Sequence, residues 1–402
     1  MTAVSARLRQ RLMDSRTHLL SAEPKASVHF PNLNALRFIA ASAVIVHHIE
    51  LAKSVFGLPN IADLPAIPAI GPLGVVLFFV LSGFLITYLL FVEKSTTGRI
   101  SAGRFYIRRI LRIWPLYYLV VTLGLFVLPR IASLHPFAGR ISGDFIASIV
   151  MMYGFLPNVA LVLYPPIPLI SQAWSVGSEE QFYLIWPWII RRSRGTYRPL
   201  IATIAIYGVL LVIMFFARRW FNSTLVRALA GLLGTLSIDC MAIGGIAAVA
   251  YLRRERFLSI VFDRRLQLVV YVVLLVMLAK GFTLPDRLHY HIYAPLFAFV
   301  ILNLACNERT IISLEAAPLN YLGKISYGLY MYHGFAIAIT FKVLSLWHME
   351  RAVVLQYVGT FATTIVAAAI SYHAIEYPIL RKKYAFSSVV SGDIASEAAN
   401  PT

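Results

Sequence analysis

Residues 70–92 read IGPLGVVLFFVLSGFLITYLLFV, without one Asp, Glu, Lys or Arg, and only then come Glu93 and Lys94. As a helix this run is about 34 Å long, enough to cross the ~30 Å hydrocarbon core of a bilayer. The remainder of the chain agrees with that reading. Its 402 residues are 59% hydrophobic and 13% charged, with a mean hydropathy of +0.74, whereas soluble domains carry about a quarter charged residues. The apolar residues fall in long blocks, not in heptads or triplets, which excludes coiled-coil and collagen-like architectures. Cys240 and Cys306 both lie inside apolar blocks, with neither a disulfide framework nor metal-ligand spacing, so no metal site is expected.

Outward from this run, other apolar candidates lie at 36–52, 110–129, 143–164, 181–190, 199–217, 232–252, 266–284, 289–306, 322–345 and 352–376. The net charge of +18 does not signal nucleic acid, because the basic residues cluster between the apolar blocks, as the positive-inside rule requires. Those clusters are Arg7 to Lys25, Lys94 to Arg112, Arg191 to Arg198, Arg253 to Arg265, and Arg381 to Lys383. They all fall on one side only if 110–190 crosses twice. The stretch 143–164, broken by Gly154 and Pro157 and followed by Pro165, Pro166 and Pro168, is the one to demote. Ten spans remain, the fourth of them short and beginning within 171–180. The expected fold is an all-α, polytopic transmembrane helix bundle with both termini cytoplasmic. Residues 1–30 are expected to be a basic cytoplasmic tail, since they lack the apolar core of a cleavable signal. A disordered tail is expected over 385–402. No internal repeat of the transporter kind is visible.

A charged residue inside a span is a functional-site hypothesis, weighed against snorkelling. Arg37 and His48 are eleven residues apart, almost three whole turns, so they share a helix face ~16 Å apart along the axis. Two readings stand: Arg37 snorkels and His48 bonds within the bundle, or both serve a site. His47, ~100° round the helix, reads as a packing residue. Gly74, Ser82 and Gly83 among large aromatics read as helix packing. Arg108 and Arg112 share one face at i, i+4 and either grip phosphates or satisfy the positive-inside rule. Glu179 or Glu180 beside His48 would form the carboxylate–histidine pair of a general base. The run Lys324 to His333, rich in Tyr, either binds a sugar or packs, and His373 and Glu376 form an i, i+3 pair.

Taken together, these segments resemble acyltransferase family 3, the bacterial integral-membrane O-acyltransferases of surface polysaccharides, nodulation factors and macrolides. The resemblance covers residues 30–384. It rests on Arg37 and His48, on Gly74 to Leu85, on Arg108 to Pro115, and on Trp174, Ser175 and Glu179, then on Ser326 to His333 and Ile375 to Pro378, in that order. The chain departs from the family pattern at Val76, where many members carry Asp, and at Val176, usually Leu.

The resemblance implies a transmembrane acyltransferase domain over 31–384 in the bacterial cytoplasmic membrane. It implies an acyl-CoA co-substrate, acetyl-CoA first, with no permanently bound cofactor. The acceptor is a hydroxyl of a glycan or small hydroxylated glycoside, such as exopolysaccharide or lipopolysaccharide. Arg108, Arg109 and Arg112 are expected to bind the donor, Arg37 to order the path, and His48, oriented by Glu179, to act as base or acyl carrier. Trp174, Ser175, Tyr330 and His333 are expected to bind substrate. The lipid bilayer is the expected surrounding, with no nucleic acid as partner. Some relatives carry a further extracytoplasmic hydrolase-like domain that a chain of this length does not hold, so a stand-alone form is expected, with separate polysaccharide-biosynthesis proteins as partners. A transporter or flippase of a lipid-linked glycan is the rival reading, and a scaffolding subunit of a polysaccharide-assembly complex is a third.

Overall fold

The structure, a computed structural model, describes residues 26–131, 145–193, 196–221, 223–387 and 389–391. Most of the two tails expected from sequence, 1–25 and 392–402, therefore lies outside the described residues. Among the described residues the regular structure is helical apart from one short parallel ladder, in which β1 (Ala26–Val28) pairs with β2 (Val389–Ser391). This ladder joins segments from opposite ends of the sequence.

The first three helices are α1 (Leu33–Val55), α2 (Ala66–Thr97) and α3 (Ala102–Thr122), the last running on through a π turn to Arg130. Two short helices, α4 (Phe145–Tyr153) and α5 (Pro157–Leu163), precede α6 (Ala173–Arg192) and α7 (Arg198–Trp220). After them come α8 (Thr224–Leu236), α9 (Ile238–Leu252), α10 (Leu258–Val261), α11 (Arg264–Ala279) and α12 (Tyr290–Cys306). The chain closes with α13 (Ala317–Lys324), α14 (Ser326–Leu346), α15 (Val353–Ser371) and α16 (Tyr377–Lys382).

Among the described residues, seven helical stretches are long and apolar enough to cross a membrane: Leu33–Val55, Ala66–Thr97, Ala102–Arg130, Arg198–Trp220, Thr224–Leu252, Ser326–Leu346 and Val353–Lys382. The other segments read as spans correspond to α6, which carries Glu179, Glu180 and two terminal arginines, to the shorter α11, and to α12. The demoted stretch 143–164 forms α4 and α5, broken where Phe155 takes a left-handed conformation (φ 56) beside Gly154 and Pro157. Residues 232–252, read as one continuous span, bend instead at Ser237 (φ 44). Tyr207 of α7 repairs the break: its hydroxyl accepts from the Ser237 amide (3.0 Å) and donates to the Leu233 carbonyl. Broken backbone at membrane depth needs such a partner.

Helix α2 is the central post, packed against α1, α6, α9 and α12. Its contact with α9 is backbone to backbone. A Cβ on Gly83 would lie 1.8 Å from the Met241 carbonyl oxygen, and one on Gly244 would lie 2.1 Å from that of Val80. Neither obstacle is a movable side-chain tip, so small residues are obligatory here. Gly83→Val is expected to force the two helices apart at a cost of about 3 kcal/mol, seen as a lowered thermal midpoint of the detergent-solubilised protein. An unchanged midpoint would show that the contact yields.

Helices α1 and α14 run side by side in the same direction. Asn34 of α1 presses on Gly323 just before α14, His48 lies beside His333, and Phe56 meets Phe341 at 6.4 Å. This alignment positions the site. Farther along α1, Glu50 and Lys53 are both buried and paired at 2.6 Å.

Candidate active site

A cavity of about 220 Å³ opens between α1, α2, α3, α6 and α14. Its wall is apolar along α2, where Val75, Phe78 and Phe79 face it. One end is basic, with Arg37 from α1, Arg109 and Arg112 from α3, Lys324, and Lys383 from the turn after α16. Of the residues singled out in the sequence, Arg37, Arg109, Arg112, Ser175, Glu179 and Tyr330 line this cavity. His48, His333, Trp174 and Arg108 do not.

Arg108 is engaged elsewhere. Its guanidinium pairs with Glu93 at 2.7 Å and donates to the Phe386 carbonyl at 2.9 Å, while the Glu93 carboxylate also accepts from the Ser101 amide at 3.0 Å. That arrangement ties the start of α3 to the end of α2 and to the segment after α16. Arg109 instead stacks over the rings of Phe105 and Tyr183, at 5.8 and 5.5 Å, and its buried Nε has no hydrogen-bond partner. Arg37 donates to the Asn34 side chain at 3.0 Å.

Glu179 faces the cavity, but no hydrogen bond or ion pair joins it to His48. Its two oxygens accept from Ser82 of α2 (2.7 Å) and from Tyr183, one turn along α6 (3.1 Å). One donor on each oxygen holds the carboxylate against α2 and along its own helix, and neither contact is with an imidazole. Glu180 points to the other side of α6 and accepts from the Trp114 indole at 3.1 Å. Trp174 is half-buried, its ring edge-on to Phe79 at 6.2 Å.

The far end of the cavity is closed by a hydroxyl pair. Tyr330 donates to the Gln172 carbonyl (2.9 Å) and meets the Ser175 hydroxyl at 2.7 Å. One turn farther along α14 lies His333, fully buried, its ring 4.8 Å from that of His48. Each imidazole spends Nδ1 on a backbone carbonyl of its own helix, His48 on Val44 (2.9 Å) and His333 on Tyr330 (2.6 Å). A carbonyl only accepts, so in the neutral ring Nδ1 carries the proton and Nε2 keeps its lone pair. The Nε2 of His333 is buried without a partner. The geometry thus supplies two adjacent imidazoles, each with a basic nitrogen. His47 turns away, bonds the Ile67 carbonyl at 2.9 Å and packs on Gly71.

Sequence reasoning missed three residues. Ser82 lies in the quoted run of α2, where it read as a packing residue. Tyr183 is at i+4 from Glu179, a spacing that puts both on one face. Lys383 stood in a cluster read only as membrane-side charge.

Residues 30–373 match the family described as an acyltransferase domain. Similar curated proteins include the putative peptidoglycan O-acetyltransferase YrhL of Bacillus subtilis, 26% identical over 87% of this chain and 55% of its own. The peptidoglycan O-acetyltransferase OatA of Listeria monocytogenes is 25% identical over 89% of this chain and 56% of its own. The O-acetyltransferase OatA of Staphylococcus aureus is 27% identical over 89% and 58%. The chain thus spans little more than half the length of these relatives. No solved structure matches it. The match spans the helices that build the cavity and carry both imidazoles, and the chain belongs to the acyltransferase domain family, acyltransferase family 3.

Proposed function

We propose that the protein is a membrane O-acyltransferase that carries an acyl group, acetyl in the first instance, from a cytoplasmic acyl-CoA to a hydroxyl of a saccharide or glycoside. The observation that carries this reading is the path itself. Cations stand at one end, a hydroxyl pair closes the other, and two imidazoles lie one turn beyond, with Arg37 and His48 ~16 Å apart on one helix. An extended thiol arm with phosphates at its tail matches that spacing of charge and base. In this reading the ten spans place the basic clusters and both termini in the cytoplasm, in a bacterial cytoplasmic membrane.

The donor phosphates pair with Arg109 and Arg112, whose forked donors suit them, and Arg37 guards the entrance to the apolar wall. The thioester lies at Tyr330 and Ser175. Nε2 of His48 takes the proton of the acceptor hydroxyl as the oxygen attacks the thioester carbonyl. A C–O bond forms, the C–S bond breaks, and the departing thiolate ends as the thiol with that proton. An acyl-histidine route would use the same nitrogen as nucleophile. Glu179, held by Ser82 and Tyr183, fixes α2 against α6 beside the path. The names of the relatives make a cell-wall glycan one acceptor class among the surface polysaccharides. Membership of an acyltransferase family disfavours the flippase reading.

Arg112→Gln tests the assignment of ends. Losing one charge-assisted contact of about 1.5–3 kcal/mol raises KM for acetyl-CoA about 10- to 100-fold while KM for the acceptor stays put. A change confined to the acceptor KM would reverse the two ends.

A further inference from the structure

Lys383 belongs to neither a span nor the expected donor set, yet it is 9% exposed and lines the basic end of the main cavity. It also lines a satellite cavity of about 20 Å³ with Glu93, Arg108, Arg109 and Ser387. Its position is fixed from both sides. Arg108 holds the Phe386 carbonyl at 2.9 Å, Ser387 donates to the Lys383 carbonyl at 3.0 Å, and the ladder of β1 with β2 follows immediately.

The groups facing it are overwhelmingly cationic: Arg37 from α1 and Arg108, Arg109 and Arg112 from α3. Of the carboxylates lining the two cavities, Glu93 is committed to Arg108 and the Ser101 amide, and Glu179 to Ser82 and Tyr183. No ion pair forms between a described carboxylate and Lys383, Arg109 or Arg112. Burial first, and then these guanidiniums, hold the Lys383 amine well below the ordinary lysine range. Guanidiniums keep their charge under such crowding, so the lysine is the group that yields.

We propose that Lys383 is a further cation of the donor-phosphate cradle, a buried amine among four guanidiniums that gains its counter-charge only when a multiply charged phosphate anion arrives, so that donor binding takes up a proton. This rests on the reading that the basic end receives acyl-CoA. An incoming polyanion offsets the four guanidiniums, and the amine then gains a partner in place of a repulsion. Binding that raises a group's affinity for protons weakens as pH rises, by up to about tenfold per unit between the empty and occupied values. Above pH ~8, well clear of a second phosphate pKa of about 6, the phosphates are fully ionised, so the slope there belongs to the protein.

The test is calorimetric binding of coenzyme A to the full chain in nanodiscs, in buffers of differing ionisation enthalpy, between about pH 7 and 9. The parent takes up a proton and its affinity falls with pH. Lys383→Met binds without uptake and with a flat profile. Lys383→Arg, permanently charged, is also flat and guards against a folding defect in the first variant. Uptake that persists in either variant, or is absent from the parent, overturns the proposal. If Arg109→Gln and Arg112→Gln weaken binding while Lys383→Met leaves the slope intact, the lysine inference alone falls. If coenzyme A fails to bind the parent, or binds those arginine variants as tightly, the donor reading falls with it.

Discussion

On the proposed function, His48→Ala is expected to lower acyl transfer by about 10²- to 10⁴-fold, the usual worth of a positioned general base, with the protein present in the membrane at its parental level. The separation of activity from folding follows from the local bonding. The ring of His48 uses Nδ1 on the Val44 carbonyl of its own helix, so its removal leaves a neighbouring backbone group that is already part of the helix. What disappears is the Nε2 lone pair beside His333. KM for acetyl-CoA is expected to stay near the parental value, because the proposed phosphate site lies about three turns away. The measurement is label transfer from acetyl-CoA at matched expression. Parental rates in the variant would make the imidazole structural and remove the base from the mechanism.

Lys53→Met is the second large effect, and it acts on the fold. Glu50, 0% exposed, accepts from Lys53 at 2.6 Å, from the Ile61 amide at 2.6 Å, and from the Tyr357 hydroxyl. Lys53 is itself 1% exposed, with its ammonium 5.4 Å from the centre of the Tyr357 ring. These contacts fasten α1 to α15 and to the chain that leads into α2. Removing the ammonium strands a buried carboxylate, which costs about 3–5 kcal/mol. The double variant Glu50→Gln, Lys53→Met removes both charges and keeps an acceptor for the Ile61 amide, so it recovers most of that loss. Thermal midpoints in detergent decide the matter. A single variant as stable as the parent, or a double variant as unstable as the single, would contradict the account.

The bundle was legible because its signal is long and redundant. An uncharged run such as 70–92 has one physical solution in a bilayer, and Gly154 with Pro157 announced the break between α4 and α5. The bend at Ser237 escaped, since the hydroxyl that repairs it comes from Tyr207, thirty residues upstream and on another helix. In the candidate site, placement was legible where one helix carries the information. Arg37 and His48 share a face by arithmetic, and α14 brings Tyr330 and His333 to that face. Partnerships across helices were not legible. Glu179 was expected to orient His48, but the serine of α2 and a tyrosine of its own helix take both its oxygens, and His48 turns to Val44. Arg108 and Arg109 are neighbours in sequence on different helix faces, so one meets Glu93 and the other the cavity. Lys383 was hidden in a basic cluster, because a rule that counts charges does not say which one the fold buries.

The claim that joins these observations is that the donor enters at the arginine end, from the cytoplasmic side. Sealed membrane vesicles of both orientations, supplied with labelled acetyl-CoA outside, test it most directly. The expected result is transfer of label to a saccharide or glycoside hydroxyl only in inverted vesicles, whose outer surface is the cytoplasmic face, and its loss on Arg112→Gln at low donor concentration. Equal transfer in right-side-out vesicles, or transfer in neither while glycan movement across the membrane depends on the protein, would contradict it.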